Sequence, residues 1–423
     1  MGFGQASRLF PVWLLVFPAL FWGGAALPLH VEENPAARPQ AEKGTFGYDQ
    51  EFLDENDIRT IVLTDPSTDA RVLLAPGYQG RVMTSTAKGV TGRSFGWINY
   101  MLISSGRTEE HINAYGGEER LWLGPEGGKF SLFFADPARQ EYANWFVPPP
   151  LDTEAFDIIN SDDRSVTFGR QFRLKTASGT ALEIGIRRKV TLLRPNEVER
   201  YLGVTPDSSL RIVAYQSDNL LTNRGREAWT KETGMPSVWM LSMLNASPDI
   251  VVAIPYKEGD DKKLGPIVTD TYFGKVPQDR LTVEKGLILF KADGKYRSKV
   301  GLSPRRAREY AAGYDRKNNI LTLLWFSLPY GKTEYVNSTW GPQAEPFAGD
   351  AINAYNDGPL ADGTQLGSFY ELESSSTAAN LKPGETLWHS QRIYHFEGNP
   401  ERLSEITRVT LGVNVARITA SFR

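Results

Sequence analysis

The chain is 423 residues long, with 41% hydrophobic and 23% charged residues and a formal net charge of -3. That composition supports a sizeable core in one large or two ordinary domains, and it carries no basic footprint for nucleic acid. Cysteine is absent, which excludes disulfides, thiol nucleophiles and cysteine-based zinc sites.

The first segment reads as an address. Arg8 precedes an apolar run from Leu9 to Trp22, and small residues follow to Ala26. This pattern predicts a secretory signal peptide over 1–26, and hence a secreted or periplasmic protein. The run is short of the ~20 residues of a membrane span, and Pro11 and Pro18 interrupt it. No stable span is therefore expected after cleavage; retention as an uncleaved anchor is the other reading. Residues 27–50 are polar and rich in Pro and Ala, which reads as a linker or N-terminal arm.

From residue 51 to 423 the signal is mostly strand. RTIVLT (59–64) and ARVLLA (70–75) are short apolar runs. SVTFGRQFRL (165–174) and LEIGIRRKVTLL (182–193) alternate around Ser178-Gly179, predicting a hairpin. LRIVAYQS, SVWMLSML, DIVVAIP, GLILFKA, ILTLLWFSL, GSFYELESS and ETLWHSQRIYHF continue the series. Two helices are predicted: SPRRAREYAAG (303–313), with Ser303 as cap and Pro304 in the first turn, and NPERLSEI (399–406). Many strands with few short helices predict one all-β domain over 51–423, a sandwich or large barrel.

The stretch YGGEERLWLGPEGG (115–128) is the densest motif. A phosphate loop is excluded, because Glu118 and Glu119 follow the glycines where Lys and Ser/Thr are needed. A calcium loop is excluded by too few ligands. What remains is a hairpin: a glycine turn, the strand RLWLG, a second glycine turn and the strand KFSLFF. Arg120 and Trp122 share one face of it. Two readings stay open, a sugar platform of Trp122 with Arg120 and Glu126, or a core Trp beside a local ion pair.

Near the C-terminus, Phe369, Glu371 and Glu373 project from one strand face, the two carboxylates ~7 Å apart. That spacing falls in the inverting glycosidase range, but both groups point in parallel from one sheet instead of flanking a bond. Asp350, Asn353, Asn356 and Asp357 lie in GDAINAYNDGP, first of all a turn and without calcium spacing. His389 and His395 share a strand face at a separation too large for one metal and are assigned structural roles. No metal site is expected.

These segments together resemble the galactose mutarotase (aldose 1-epimerase) superfamily. Leu372-Glu373, Leu381-Lys382-Pro383-Gly384-Glu385 and Tyr394-His395-Phe396 are similar to its C-terminal signature. LLTNRGREAW (220–229) and AAGYDRKNNILTLLWFSLP (311–329) resemble two further segments. GRSFGWIN, YGGEERLWLGPEGG and AYNDGP resemble an uncharacterised secreted branch with no assigned activity. The resemblance implies a galactose mutarotase-like β-supersandwich with few short helices. It implies cofactor-free proton transfer at a sugar with Glu373, or secondarily Glu371, as base. It further implies a carbohydrate cleft lined by Arg93, Arg120, Trp122, Glu126, Asn223, Arg224, Asn356 and Asp357. The family's two usual histidine positions read Tyr115 and Arg224 here, and a guanidinium is a poor proton donor. His111 is the candidate substitute. The alternative is a non-catalytic sugar-binding or structural domain in polysaccharide processing. No ATP, flavin or nicotinamide motif is present.

Overall fold

The computed structural model describes residues 41–205 and 208–422. The expected signal segment 1–26 and the larger part of the expected linker lie outside the described residues. Residues 45–55 begin the ordered fold: Thr45 caps the helix Phe46–Glu55, accepting a hydrogen bond from the Tyr48 N–H. Phe46 and Leu53 of that helix are fully buried. Residues 46–50, expected to be linker or arm, are thus packed helix, because their aromatic and leucine spacing gives the helix a face to bury.

The strands are β1 (Ile61–Thr64), β2 (Arg71–Ala75), β3 (Arg81–Thr86), β4 (Arg120–Gly124), β5 (Asp157–Ser161), β6 (Ser165–Lys175), β7 (Ala181–Leu192), β8 (Leu210–Asn223), β9 (Ser237–Asn245), β10 (Ile250–Pro255), β11 (Leu281–Glu284), β12 (Leu287–Lys291), β13 (Ser298–Leu302), β14 (Tyr310–Asp315), β15 (Ile320–Phe326), β16 (Ile352–Asn356), β17 (Phe369–Ser375) and β18 (Thr386–Gly398). They form a three-stranded sheet, β1-β2-β3. A ten-stranded sheet runs β11-β12-β10-β14-β15-β18-β8-β7-β6-β5, and a five-stranded sheet runs β13-β16-β17-β9-β4. The pairings within the ten- and five-stranded sheets are antiparallel.

Alternation decides what each sheet buries. Leu121, Leu123, Val238, Met240, Tyr370, Leu372, Ile352 and Ala354 of the five-stranded sheet share one cluster with Ile184, Leu221, Ile254, Leu324 and Ile393 of the ten-stranded sheet. The two sheets therefore pack face to face as a sandwich. Full burial of a side chain such as Leu324 or Leu372 contributes about 1.5–3 kcal/mol. The opposite face of the ten-stranded sheet buries Leu321, Leu323, Tyr394 and Phe396 against Leu403, Ile406 and Ile418 of the C-terminal helices Pro400–Leu411 and Val415–Thr419. The architecture is the all-β sandwich expected, and the predicted hairpin is β6–β7, in register from Ser165↔Thr191 to Lys175↔Ala181.

Two predicted elements differ. Residues 303–313 are a turn followed by β14, not a helix. Arg306 is fully buried there; its guanidinium donates to the carbonyls of Lys257, Gly259 and Gly265 and pairs with Asp261. β14 is hydrogen-bonded on both sides, to β10 and β15, so tertiary pairing overrides the cap-then-proline pattern. KFSLFF is irregular, and β4 pairs with β9 rather than closing a local hairpin. The predicted helix after Asn399 is present, with the Asn399 side chain accepting from the Glu401 N–H.

Candidate functional site

The five-stranded sheet has two polar faces of different kinds. On its outer face the register brings Arg120 and Trp122 of β4 beside Leu241 and Trp239 of β9. Glu373 lies opposite Leu241 on one side and Asn353 on the other. Glu371 lies between Met243 and Tyr355, and Lys299 of β13 pairs with Tyr355. Period-2 alternation sends all of these side chains to the face away from the sandwich core.

Glu373 is the centre of the cluster. One oxygen, Oε2, accepts from the Trp239 indole at 2.9 Å and from the Lys299 ammonium at 2.7 Å. The other, Oε1, is buried without a partner within the protein. Glu371 Oε1 accepts from Arg120 at 3.2 Å, and Arg120 Nε is likewise buried without a partner. Burial pushes the Glu371 carboxyl up to about 7, with Arg120 opposing and the Glu373 charge adding to the rise. Glu126 is also raised, first by desolvation. Asp350, bonded by the Tyr272 hydroxyl, is pushed up to about 6 by burial. Buried polar groups are normally paired, so two unfilled atoms on one face, on strands either side of β9, mark it as a candidate for water or ligand atoms.

An aromatic rim surrounds this row. Lys299 Nζ stands 5.0 Å from the Trp239 ring centroid and 5.4 Å from that of Tyr272. Trp340, 40% exposed, donates its indole N–H to Glu126 at 3.0 Å and stacks on Trp145. Arg297, just before β13, lies over the Phe273 ring at 4.2 Å. Glu373 is only 1% and Trp239 only 5% exposed, so the accessible part is Trp340 and Tyr272 together with Glu126, Lys299 and Arg297.

The inner face is different. Glu118 and Glu119 are fully buried between the sheets. Arg188 Nη2 donates to Glu119 Oε1 at 2.6 Å, and Gln391 donates to Glu119 Oε2 at 2.7 Å. Glu118 Oε1 meets His395 at 2.7 Å and accepts from Ser85 at 2.8 Å, while Glu118 Oε2 and the buried Tyr215 hydroxyl make no hydrogen bond within the protein. His389 bonds to Ser374 and Ser327, and burial holds its ring down to about 3. Both histidines therefore have structural roles, as expected. Gly116 and Gly117 reach this position with φ of 89° and 112°, and a Cβ on Gly116 would run into the Trp97 carbonyl.

The structure brings together Glu373, Glu371, Arg120, Trp122 and Glu126. Trp122 is not a platform: it is 3% exposed, donates to the Leu151 carbonyl and packs on Phe133, Trp145 and Trp239, with Arg120 stacked on it at 4.1 Å. Asp357 is on the same face but is held by the Tyr355 hydroxyl at 2.6 Å and the Gly367 N–H. Asn356 is not in the cluster; alternation turns it inward, where it binds the Gly294 N–H and the Tyr296 carbonyl. Asn223 closes a turn through Glu227, Leu381 and Gly225, and exposed Arg224 borders a separate groove with Arg173 and Glu183. Arg93 is an exposed residue paired with Glu397 at 3.7 Å. It borders a cavity of about 80 Å³, room for a few waters at about 30 Å³ each and not for a sugar ring. His111 binds the Trp145 carbonyl at 2.7 Å and stacks on Phe146, with no contact to either glutamate. Tyr115 stacks on Tyr78 in a small core beside the first helix.

Asp350 is named from the sequence only as part of a turn, and Lys299, Arg297, Trp239, Tyr272 and Trp340 are not predicted. Only Arg297 and Lys299 left a trace, as charged residues alternating with Ser298 and Val300 in a short run.

Comparison with known proteins places this geometry in a group. The chain belongs to a family of unknown function, DUF6786. That family matches residues 44–422. No curated protein matches the chain in sequence. Its structural neighbours include the Slr1438 protein from Synechocystis sp. PCC 6803, at TM-score 0.50 and 12% identity, covering 81% of this chain and 96% of that one. They also include a putative aldose 1-epimerase from Escherichia coli K12 (TM-score 0.45, 12% identity, covering 80% and 99%). A galactose mutarotase-like protein from Lactobacillus casei is a third (TM-score 0.46, 10% identity, covering 80% and 100%). At 12% identity the likeness to the Slr1438 protein supports the fold alone. Among the described residues, no helix is long and apolar enough to cross a membrane.

Proposed function

We propose that this is a secreted or periplasmic carbohydrate-binding protein, with the sugar seated on the outer face of the five-stranded sheet. One observation carries the reading. Buried hydrogen-bonding atoms without partners, Glu373 Oε1 and Arg120 Nε, share that face with the aromatic rim of Trp239, Tyr272 and Trp340. Sugars present hydroxyls to polar atoms and apolar C–H faces to rings, and ligand sites of this kind combine apolar walls with a few convergent polar groups. Titration of a panel of aldoses and oligosaccharides against intrinsic tryptophan fluorescence tests it. Saturable change that disappears in Trp340→Ala is expected; no saturable response from any sugar sinks the proposal.

A second reading, proton transfer at the sugar without a cofactor, is favoured by the raised Glu371 beside the ion-paired Glu373. Two carboxyls whose environments push them apart can divide the acid and base tasks. In it, Glu373 Oε1 takes a hydroxyl proton and Glu371 returns one. Anomer exchange followed by NMR decides this: rates above buffer that vanish in Glu373→Gln support it, and rates equal to buffer leave binding alone. The export reading is checked by N-terminal sequencing of the mature protein, with a start at Leu27 expected.

A further inference from the structure

We propose that the ligand of this face carries an acidic group, and that Arg297 is the residue that receives it. The inference rests on the carbohydrate-binding reading and adds the chemical class of the sugar. On the outer face two of the three cations are engaged: Lys299 with Glu373, and Arg120 with Glu371. Arg297 is different. Among the described residues its side chain makes no ion pair and no hydrogen bond, and its Nε is buried without a partner.

The neighbouring acids do not explain it. Glu126 is a carboxylate that feels the Arg297 charge, yet it is bonded by Trp340; Asp357, just after β16, is held by the Tyr355 hydroxyl and the Gly367 N–H. Both stand outside ion-pair contact with Arg297. Meanwhile Phe273 covers one face of the guanidinium at 4.2 Å, which fixes its plane and leaves the in-plane N–H edge for a ligand. Parallel N–H donors of that kind match the paired oxygens of a carboxylate, sulfate or phosphate in two-point contact, whereas a neutral hydroxyl offers a single uncharged oxygen. The position suits it: Arg297 is two residues along the chain from Lys299, so an acidic substituent here leaves the sugar ring over Lys299 and Glu126.

The test is calorimetric titration of wild type and Arg297→Gln at constant ionic strength. The ligands are glucuronate, galacturonate, glucose 6-phosphate, glucose 6-sulfate, glucose and galactose; the carboxylate, phosphate and sulfate arms identify the source of the charge. At least one acidic sugar should bind about tenfold or more tighter than its neutral counterpart, the scale of a charge-assisted hydrogen-bond pair. That preference should fall to about one in Arg297→Gln and survive only partly in Arg297→Lys, which keeps the charge and loses the fork. Neutral sugars that bind as tightly as acidic ones overturn the inference while leaving carbohydrate binding intact. A preference unchanged in folded Arg297→Gln also overturns it. Binding by none of these sugars overturns both readings.

Discussion

The two polar faces of the five-stranded sheet use the same residue types to opposite ends. On the inner face, Arg188 and Glu119 are sealed at 0% exposure, and Gln391, Asn219, His395 and Ser85 take up much of the remaining hydrogen-bonding capacity. On the outer face, Arg120–Glu371 and Lys299–Glu373 leave Arg120 Nε and Glu373 Oε1 unfilled, and Arg297 is unpaired. A network sealed from solvent between two sheets, even with Glu118 Oε2 and the Tyr215 hydroxyl unfilled, holds the sheets in register. A network left open beside aromatic rings is built to take something else.

The largest contrast should come from the same change made on each face. Arg188→Met leaves Glu119 charged and buried between the sheets, which costs about 3–5 kcal/mol. Arg120→Met should cost roughly 1 kcal/mol, because Glu371 is already poised to take a proton near neutral pH. Urea unfolding of both variants reads the difference, and equal losses would break the distinction between the faces.

Glu373→Gln should separate stability from function. It keeps an acceptor for Trp239 and Lys299, so unfolding should shift by no more than about 1 kcal/mol. Sugar affinity, or anomer exchange if present, should fall at least about tenfold. A large loss of stability with ligand binding intact would make Glu373 a scaffold residue.

Acidity should act on the two faces with opposite signs. Glu371 is raised from 4.5 to about 7, so the folded state binds the extra proton between those values and stability falls as pH rises through the window. Asp350, and Asp49 in the first turn of the helix Phe46–Glu55, are each raised from 3.8 to about 6 and add to that fall. His389 is lowered from 6.5 to about 3, so the unfolded state holds the proton and stability falls as pH drops through that window. Melting temperature followed from pH 4 to 8 should therefore show Glu371→Gln flattening the neutral limb and His389→Gln flattening the acid limb. The reverse assignment would contradict the burial argument.

The smallest effects belong to residues that the sequence placed in the cleft and the structure does not. Arg93→Gln and Arg224→Gln should change stability by less than about 1 kcal/mol, as exposed charges do. Neither should alter sugar affinity. A clear loss of binding in either would move the site.

What was legible follows from what is local. Alternation alone put Glu371 with Glu373 and Arg120 with Trp122, because the side-chain period of a strand needs no partner. Cap chemistry placed the helix after Asn399. The sandwich was readable because many short strand runs follow one another along the chain. Burial and long-range pairing were not. Trp122 reads as a sugar platform until Phe133, Trp145 and Trp239 close around it. Glu118 and Glu119 read only as acids after a glycine turn, and nothing local shows that Arg188 and His395, from distant strands, enclose them. Ser303-Pro304 reads as a helix start until buried Arg306 fixes a turn there. Lys299 and Tyr272 reach Glu373 and Asp350 only through pairing of segments far apart in sequence.

A crystal structure soaked with the saccharide that perturbs tryptophan fluorescence most tests the central claim directly. The account predicts density among Trp340, Glu126, Lys299 and Arg297, with a ligand atom within hydrogen-bond reach of at least one of the atoms left unfilled on the outer face. Density instead beside Arg224 and Trp229, or at Arg93, with the outer face empty would contradict it.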